Sequence, residues 1–549
     1  MDSKNEESAK IDKNNNEKEK SKNKDQFNSK EEKIERSKSA KDNKEKGKDI
    51  IESFIGKSYT QIGKELLSSH DKIFQNLLNS RSLPEESLNQ NTINYILNIF
   101  SNMDSNNGPY HIGIGEREGR IISPLVHQRN YGLVHGIGRS GNINDLQPKA
   151  CGSSLLVQLT NSLLKNLLHS IGMTFIKNII ILPFATGMSL TISFLTLRIL
   201  KPKAKYIIFS RIDQKTCLKC IVTSGYEPII INPIANLKND YELETNLEGI
   251  KKAIDKYGIE NILCVLSTTS CFAPRGYDNI EEISKICKEK NLYHVVNNAY
   301  GIYCTRIIDM LNKADKIGKV TYVISSTDKN FMVPVGGAMV YSSDSSMLEK
   351  IKKNYPGRAS ISPLLDLFIS FLEMGKNKYK KLINERKEKY KILIQKIEEV
   401  AKKYGEKVVA LSNNKISILF TLGKIVEKSG NKDAKEIGSM CFNRQISGVR
   451  IITSSKGQTK NIAGYDFLNY GSSCDNYKYL FLFKNENNLQ SYIYKKLNIF
   501  EYNIQTIFLR FSPKIKLNFI FFNYFIFINK NIYWLLKFKL PISILNKNE

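Results

Sequence analysis

Three turns in the sequence combine small and polar residues in a way that suits the binding of a phosphorylated cofactor. They are ATGMS (residues 185–189), NNAYG (residues 297–301) and SSTDKN (residues 325–330), and each directly follows an apolar run. Small residues at a strand-to-helix turn let backbone amides approach a phosphate closely. Lysine can bind a carbonyl cofactor covalently, and Lys329 lies in the third turn. In this order, the turns match the phosphate site, the ring-nitrogen partner and the Schiff-base lysine of enzymes that use pyridoxal 5'-phosphate.

The first turn therefore predicts cofactor-phosphate contacts from Ala185, Thr186 and Gly187. Asn297 would face the ring nitrogen. An asparagine can only hydrogen-bond that nitrogen, whereas the usual aspartate keeps it protonated. We therefore expect the ring to be a weaker electron sink here.

A glycine-rich loop upstream has the spacing G-x-G-x-x-G, with glycines at 136, 138 and 141. A dinucleotide site also needs a preceding strand, a helix opening at the third glycine and an acid about 20 residues later. Asn and Asp residues and Pro148 follow instead, and residues 159–161 carry no carboxylate. Arg139, Ser140, Gln147 and Lys149 predict a site for a phosphate or another oxyanion.

Short apolar runs alternate with helical patterns between about 150 and 345, which predicts an α/β fold with a mostly parallel central sheet. Because ligands bind at the carboxyl ends of such strands, the polar turns stand where a site is expected. The runs cover residues 178–184, 205–209, 228–232, 262–266, 293–296 and 320–324.

Composition and periodicity divide the chain into five segments. The first is a disordered Lys/Glu/Asn-rich extension, the second a helical oligomerisation unit with the glycine-rich loop, and the third a cofactor-binding α/β domain. A smaller C-terminal α/β domain and an unexplained Asn/Lys/Phe/Ile-rich tail follow. Their boundaries are 1–48, 49–150, 151–360, 361–485 and 486–549.

The formal net charge of +28 favours a nucleic-acid partner, because lysine and arginine contacts to phosphates supply most non-specific affinity. A Lys/Asn-rich proteome is the alternative explanation. The basic helical stretch 376–396 is either a solvated face or one that faces RNA.

Nine cysteines at irregular spacing, with no secretory signal, predict a reducing compartment and a cytoplasmic protein. Cys217 and Cys220 form one CxxC without a second pair, so we expect no metal site. The apolar run 517–528 is too short to span a bilayer, and we expect no membrane partner.

Longer motifs resemble the O-phosphoseryl-tRNA(Sec) selenium transferase family, from about residue 50 to about residue 475. They are GIGEREGR, HGIGRSG with QPKA and GSSL, PKAKYII with RIDQK, STTSCFAPR, VVNNAYG, DKNFMVPVGGA, YPGRAS and NRQISG. The resemblance implies a fold type I pyridoxal-phosphate-dependent transferase, normally a homotetramer. Such an enzyme converts phosphoseryl-tRNA(Sec) to selenocysteinyl-tRNA(Sec), with selenophosphate as the selenium donor.

The resemblance also implies a role for each matching residue. Lys329 would be the Schiff-base lysine, Arg117 a cofactor and active-site contact, and Gln214 and Asn297 would line the cofactor ring. The substrate's phosphoryl group would be held by Arg139, Ser140, Gln147 and Arg358. The expected tRNA contacts are Lys316 and Arg444; nothing after about 485 matches the family's C-terminal RNA-binding helix.

Two alternative functions stay open from the sequence. The first is another pyridoxal phosphate enzyme, such as a cysteine desulfurase or lyase, which would need a mobile cysteine opposite Lys329. The second is a catalytically inactive tRNA-binding scaffold.

Overall fold

The computed structural model describes residues 50–115, 118–430, 432–452, 459–477, 479, 481–485, 503–504 and 507–508. The described residues up to Asn79 form one compact unit, and those from Ser80 onward form a second.

The first unit is helical, as its periodicity predicts. Residues 50–55 are helical, and helix α1 (Lys57–Ser80) follows. Ile62, Leu66 and Leu67 repeat at helical spacing, yet their side chains are 55%, 64% and 63% exposed. This face of α1 is therefore apolar without being covered in the single chain.

The second unit is built around a seven-stranded sheet in the order β1-β9-β8-β7-β6-β2-β3. All neighbouring strands run parallel except β9, which is antiparallel to both β1 and β8. The strands are β1 (Asn178–Leu182), β2 (Tyr206–Ser210), β3 (Glu227–Ile231), β6 (Ile262–Thr268), β7 (Tyr293–Asn297), β8 (Tyr322–Ser326) and β9 (Ala338–Ser342). The short strands β4 (Ile234–Asn236) and β5 (Asn239–Glu244) come between β3 and β6 along the chain and form a separate antiparallel pair.

The central strands are apolar along their length because both faces of the sheet are covered. Every residue of β6 and β8 is buried, including the hydroxyl residues at their carboxyl ends. Parallel sheets bury both faces, so their strands appear as continuous apolar runs rather than alternating ones.

The helices of this unit are α2 (Gln90–Asn102), α3 (Pro124–Arg129), α4 (Cys151–Ser170), α5 (Thr186–Leu200), α6 (Lys215–Thr223), α7 (Leu247–Tyr257), α8 (Ile280–Glu289), α9 (Thr305–Ile317), α10 (Thr327–Phe331), α11 (Ser345–Asn354), α12 (Ser362–Lys403), α13 (Gly423–Lys428) and α14 (Lys435–Asn443), with single 3₁₀ turns at Ser105–Asn107 and Ile259–Asn261.

The long helix α12 is kinked at Gly375, which has φ 62°. A Cβ there would lie 2.6 Å from the backbone carbon of Glu86. The backbone amides of Lys376 and Asn377 donate to the carbonyl oxygens of Pro84 and Glu85, both over 2.9 Å. Glycine is needed because the segment that carries these carbonyls packs directly on the kink.

The C-terminal part has an antiparallel sheet in the order β10-β11-β15-β12 and a separate pair β13-β14. The core beside this sheet includes Leu393, Ile397 and Phe420, and the buried side chains of Ile504, Ile507 and Phe508 also belong to it. Packing of the C-terminal part therefore continues beyond residue 485. The strands are β10 (Val408–Val409), β11 (Ser417–Thr421), β12 (Val449–Ile452), β13 (Thr459–Ile462), β14 (Tyr465–Leu468) and β15 (Phe481–Asn485).

The α/β fold with a mostly parallel central sheet is confirmed, and each of the six predicted apolar runs is a strand. The sequence analysis missed β9, which inserts antiparallel between β1 and β8. The five domain boundaries stay a prediction, and residues 1–48 lie outside the described part of the chain.

Candidate active site

The carboxyl ends of β7 and β8 meet at one edge of the sheet. Asn297 ends β7, and its Cα pairs with Thr268 of β6 on one side and Ile324 of β8 on the other. The carbonyl oxygen of Ala299 accepts from the Ser326 amide over 3.0 Å and from Asn330 Nδ2 over 2.9 Å. These hydrogen bonds hold the NNAYG and SSTDKN turns together.

Lys329 lies in the short helix α10, immediately after β8. Its side chain is half-buried, and Nζ lies 5.9 Å from the centroid of the Tyr300 ring. No hydrogen bond or ion pair to Nζ is present within the described ranges. The ammonium group is therefore available to a ligand at the carboxyl edge of the sheet.

Two adjacent asparagines at the end of β7 differ in how their amides are paired. Asn298 Oδ1 accepts from Thr269 Oγ1 over 2.7 Å, and Asn298 Nδ2 donates to the Tyr341 hydroxyl over 3.0 Å. Asn297 is 5% exposed, yet its Oδ1 has no hydrogen-bond partner among the described residues. An unpaired buried acceptor costs about 1–3 kcal/mol. Asn298 is thus structural, whereas Asn297 has a free acceptor for a ligand.

The other end of the Asn297 amide contacts a cysteine. Asn297 Nδ2 donates to Cys217 Sγ over 3.1 Å, from the end of β7 to the first turn of α6. Cys217 is 3% exposed, and burial raises the pKa of its thiol to about 11. The thiol is therefore protonated at neutral pH. The Asn297 amide therefore donates to a lone pair on the sulfur of the protonated thiol.

The ATGMS turn opens helix α5, with Ala185 at the N-cap and Thr186 as the first helical residue. Thr186 Oγ1 is buried and without a hydrogen-bond partner in the described part of the chain. A Cβ on Gly187 would lie 2.3 Å from Thr216 Cγ2. This close approach brings the RIDQK segment against the turn. A free hydroxyl beside the amides of a helix N-terminus is an arrangement that suits a phosphate.

Gln214 is exposed, and its Oε1 accepts from the Thr216 amide over 3.2 Å. Two buried arginines support the strand end before it. Arg211 pairs with Asp213, Nε to Oδ1 over 2.9 Å, and Arg275 Nε donates to the Arg211 carbonyl over 2.6 Å. The sequence analysis assigned no role to either arginine.

Residues 136–148, which we call the glycine loop, do not form a strand-to-helix turn. Gly136, Gly138 and Gly141 all have positive φ, between 71° and 83°. The Ile137 amide donates to the Ala359 carbonyl over 2.8 Å, and the Ala359 amide donates back over 3.1 Å. The loop is therefore paired with the YPGRAS segment, and the prediction that it is not a dinucleotide turn agrees with this geometry.

Arg358 joins this segment to the glycine loop through its guanidinium. Nη2 donates to the His135 carbonyl over 2.7 Å and also to Gln147 Oε1. Gln147 is buried, and its Nε2 donates to the Gly136 carbonyl over 2.9 Å. Two of the four predicted phosphoryl contacts, Gln147 and Arg358, are thus brought together.

Glu118 is a residue of this region that the sequence analysis missed. One of its oxygens lies 2.6 Å from Arg358 Nη1, and the other contacts Lys149 Nζ. The hydrogen bond from Lys149, followed by the charge of Arg358, lowers the pKa of the Glu118 carboxyl to about 2. The sequence gives no signal of these two ion pairs, because Glu118, Lys149 and Arg358 come from three separate segments of the chain.

Arg139 and Ser140 form the tip of the glycine loop, and both are exposed. The Arg139 backbone exchanges hydrogen bonds of 2.9 Å with Asn142, and Ser140 has φ 47°. The Arg139 side chain makes no hydrogen bond or ion pair to any described residue. It is a free cation beside the loop's glycines.

The remaining predicted site residues lie elsewhere. Lys316 is exposed in the last turn of α9, which runs back from the carboxyl edge, so it stands near the opposite edge of the sheet. Arg444 directly follows α14 and is half-buried, and its Nη1 donates to the Met440 carbonyl over 3.2 Å. Arg117 lies outside the described residues.

Two other kinds of site are absent from the part of the chain that the structure describes. None of its helices has both the length and the apolar character needed to cross a bilayer. No three side chains of His, Cys, Asp or Glu come together in a way that could hold a metal ion. Cys217 and Cys220 are both buried and unbridged.

Comparisons with known proteins show which family the chain belongs to. The model of the family described as O-phosphoseryl-tRNA(Sec) selenium transferase, SepSecS, matches residues 103–485. A protein of that name from Dictyostelium discoideum is 43% identical over 452 residues, covering 80% of this chain and 94% of its own. One from Methanocaldococcus jannaschii is 35% identical over 401 residues, covering 73% and 89%.

A solved structure has the same fold. The crystal structure of an archaeal O-phosphoseryl-tRNA(Sec) selenium transferase superposes with a TM-score of 0.73 at 29% identity, covering 82% of this chain and 97% of that one. The family model spans most of the chain, and the relatives are matched over nearly their whole length. The chain therefore belongs to the O-phosphoseryl-tRNA(Sec) selenium transferase family.

Proposed function

We propose that this protein converts O-phosphoseryl-tRNA(Sec) to selenocysteinyl-tRNA(Sec), with selenophosphate as the selenium donor, in the biosynthesis of selenocysteine. Family membership supports the reaction. The observation that carries the proposal is at the carboxyl edge of the sheet, where Lys329 has no ionic partner among the described residues and Thr186 and Asn297 each have a buried, unpaired oxygen. Buried polar atoms without partners require an explanation, and a bound ligand would provide one here.

Pyridoxal 5'-phosphate fits these residues. The amides at the start of α5 and the Thr186 hydroxyl suit its phosphate, with Ala185, Thr186 and Gly187 forming the turn. The free Oδ1 of Asn297 suits its ring nitrogen, and Lys329 is placed to hold it covalently. When bound, the cofactor supplies an electron sink for the electrons of a broken Cα–H bond.

Residues of the chain itself would transfer the proton and hold the substrate's phosphoryl group. The Lys329 amine would be placed to take the Cα proton of the bound substrate. The glycine loop would hold the substrate's phosphoryl group with Arg139, Ser140, Gln147 and Arg358. Arginine suits a departing phosphate, because its guanidinium is planar, permanently charged and able to donate two parallel hydrogen bonds.

Roles for the remaining site residues rest on the resemblance of their segments to the family. Arg117 would contact the cofactor and Gln214 would line its ring. Lys316 and Arg444 would contact tRNA. The formal charge of +28 supports an RNA partner, since neutralising phosphates favours binding.

We also propose a homotetramer in the cytoplasm. The exposed apolar face of α1, with Ile62, Leu66 and Leu67, supports assembly, since apolar patches of this kind mark interaction surfaces. Nine unbridged cysteines are consistent with a reducing compartment.

The geometry does not favour a cysteine desulfurase. That reaction needs a mobile, reactive thiol opposite the lysine. The nearby charge of Lys329 favours the thiolate of Cys217, but burial outweighs it and raises the pKa of the thiol to about 11. The thiol is therefore protonated at neutral pH, and it is hydrogen-bonded to Asn297. An inactive scaffold is also disfavoured, since it would have no use for unpaired buried oxygens at the carboxyl edge.

A substrate comparison tests the proposed function. The protein loaded with pyridoxal phosphate is incubated with selenophosphate and either phosphoseryl-tRNA(Sec) or seryl-tRNA(Sec). We expect phosphate release and selenocysteinyl-tRNA from the first substrate and little product from the second. No product from either tRNA, or equal product from both, would contradict the proposal.

A further inference from the structure

Asn297 is the residue expected to face the ring nitrogen of the cofactor, and the two ends of its amide are chemically opposite. The nitrogen end only donates hydrogen bonds and the oxygen end only accepts them, although the two ends have nearly the same shape. Neighbouring groups therefore decide which end faces the ligand. A protonated ring nitrogen can be bound only by an acceptor.

The neighbours of Asn297 leave the oxygen end free. Nδ2 is engaged by Cys217 Sγ at 3.1 Å, and Oδ1 is buried without a partner among the described residues. The next residue shows that this is not a general property of the strand end, since both ends of the Asn298 amide are paired.

We propose that Cys217 is a positioning residue, which engages the nitrogen end of the Asn297 amide so that the oxygen end is presented to the ring nitrogen of the cofactor. This inference rests on the proposed function, because it assumes the cofactor that the function requires. It deepens that function by naming a group that would tune the cofactor's electronics without touching it.

The thiol is suited to this task by its surroundings. Cys217 is 3% exposed, and burial raises the pKa of its thiol to about 11, so the sulfur is uncharged and its lone pair accepts from Asn297 Nδ2. Cys220, one turn further along α6, is equally buried but donates to the Cys217 carbonyl over 3.1 Å. Cys220 therefore provides a matched control within the same helix.

The consequence for the cofactor is a ring nitrogen that keeps its proton. An acceptor facing that nitrogen favours the protonated form, whereas a donor facing it favours the neutral form. Asparagine is neutral and stabilises the proton less than an aspartate does. With its oxygen end presented, however, it supports the electron sink that the reversed amide would weaken.

The test uses full-length protein loaded with pyridoxal phosphate labelled with ¹⁵N at the ring. The ¹⁵N chemical shift reports the protonation of the ring nitrogen independently of turnover. We expect the protonated signal in the wild type and in Cys220→Ala, and a shift towards the neutral signal in Cys217→Ala. Cofactor affinity in Cys217→Ala should fall roughly five-fold, the effect of one neutral hydrogen bond.

A double variant tests whether Cys217 acts through Asn297. Asn297→Asp supplies a carboxylate, which keeps the ring protonated whichever way the side chain lies. The ring signal of Cys217→Ala/Asn297→Asp should therefore equal that of Asn297→Asp alone. A difference between them would show that Cys217 acts by another route and would overturn the inference.

Other outcomes also decide the question. The inference is wrong if the wild-type ring nitrogen is neutral, if Cys217→Ala leaves its signal unchanged, or if Cys220→Ala shifts it equally. If thermal melting shows that Cys217→Ala is unfolded, Cys217→Val replaces it, since valine fills the space without a hydrogen-bonding atom. Failure of the wild type to bind the cofactor at all would instead contradict the proposed function.

Discussion

The carboxyl edge of the sheet and the glycine loop differ in how their polar groups are paired. At the carboxyl edge, Thr186 and Asn297 have buried oxygens without partners among the described residues. Beside the glycine loop, the terminal nitrogens of Arg358 are paired with Gln147 and Glu118, although its buried Nε has no partner among the described residues, and Lys149 is paired with Glu118 as well. One region offers unpaired oxygens to a ligand, whereas in the other, two of the cations share one carboxylate.

The difference follows from where each set of residues is held. Parallel strands carry the residues of the carboxyl edge, so their positions are set by the buried sheet. The tip of the glycine loop is exposed, so Arg139 can move towards a ligand. We infer that the cofactor binds to preformed groups, while a substrate phosphoryl group must compete with the Glu118 carboxylate for Arg358 and Lys149.

The largest effect is expected from a substitution at the carboxyl edge. Lys329→Ala should lower turnover at least about 10³-fold, because it removes both the covalent attachment of the cofactor and the base for the Cα proton. Single-turnover kinetics and the visible absorption of the bound cofactor measure it. Lys288→Ala, an exposed lysine on α8, is the control. Wild-type turnover in Lys329→Ala would refute the assignment.

The glycine loop should show a smaller and more selective effect. Arg139→Ala is expected to lower turnover of phosphoseryl-tRNA about 10- to 100-fold, since a charge-assisted hydrogen bond is worth roughly 1.5–3 kcal/mol. The preference for phosphoseryl-tRNA over seryl-tRNA should fall as well, whereas the affinity for the cofactor should not change. Arg198→Ala, an exposed arginine at the end of α5, serves as control. Loss of cofactor instead would mean that the loop belongs to the carboxyl edge.

The basic helix α12 offers a third comparison. Lys378 and Lys381 are exposed there, and changing both to Gln should weaken tRNA binding several-fold at low salt. The slope of log affinity against log salt should fall by about one for each lysine–phosphate interaction that the change removes. The same pair of changes at Lys251 and Lys252 on α7 controls for net charge. Equal weakening by both pairs of changes would show that only overall charge matters.

The smallest effect is expected from removing the carboxylate that pairs with Lys149 and Arg358 beside the glycine loop. Glu118→Gln removes the carboxylate that pairs with Lys149 and Arg358. Inorganic phosphate should then inhibit about two- to five-fold more strongly, in line with an exposed ion pair. Glu248→Gln, an exposed acid on α7, is the control. Weaker inhibition by phosphate would mean that Glu118 helps to hold the two cations in place for the ligand.

The sequence predicts the strands of the central sheet well, because fully buried parallel strands appear as short apolar runs between helical patterns. It does not predict that β9 lies antiparallel between β1 and β8. The direction of a strand is set by its connection, and residues 327–337 are too few for the crossover that a parallel neighbour needs.

The candidate site is predictable only where it depends on local sequence. Turns of small residues and a lysine at a strand end identify Thr186, Asn297 and Lys329. The contacts of Cys217 with Asn297 and of Glu118 with Arg358 join segments that are far apart in the chain, and no spacing rule anticipates them. Cys217 appeared in the sequence only as half of an incomplete metal-like pair.

We propose that Lys329 carries the cofactor, at the edge where Thr186 and Asn297 offer free oxygens. The most direct test of this proposal is reduction of the cofactor-loaded protein with borohydride, followed by peptide mapping by mass spectrometry. The phosphopyridoxyl group should be found on Lys329. The same group on another lysine, or on none, would contradict the proposal.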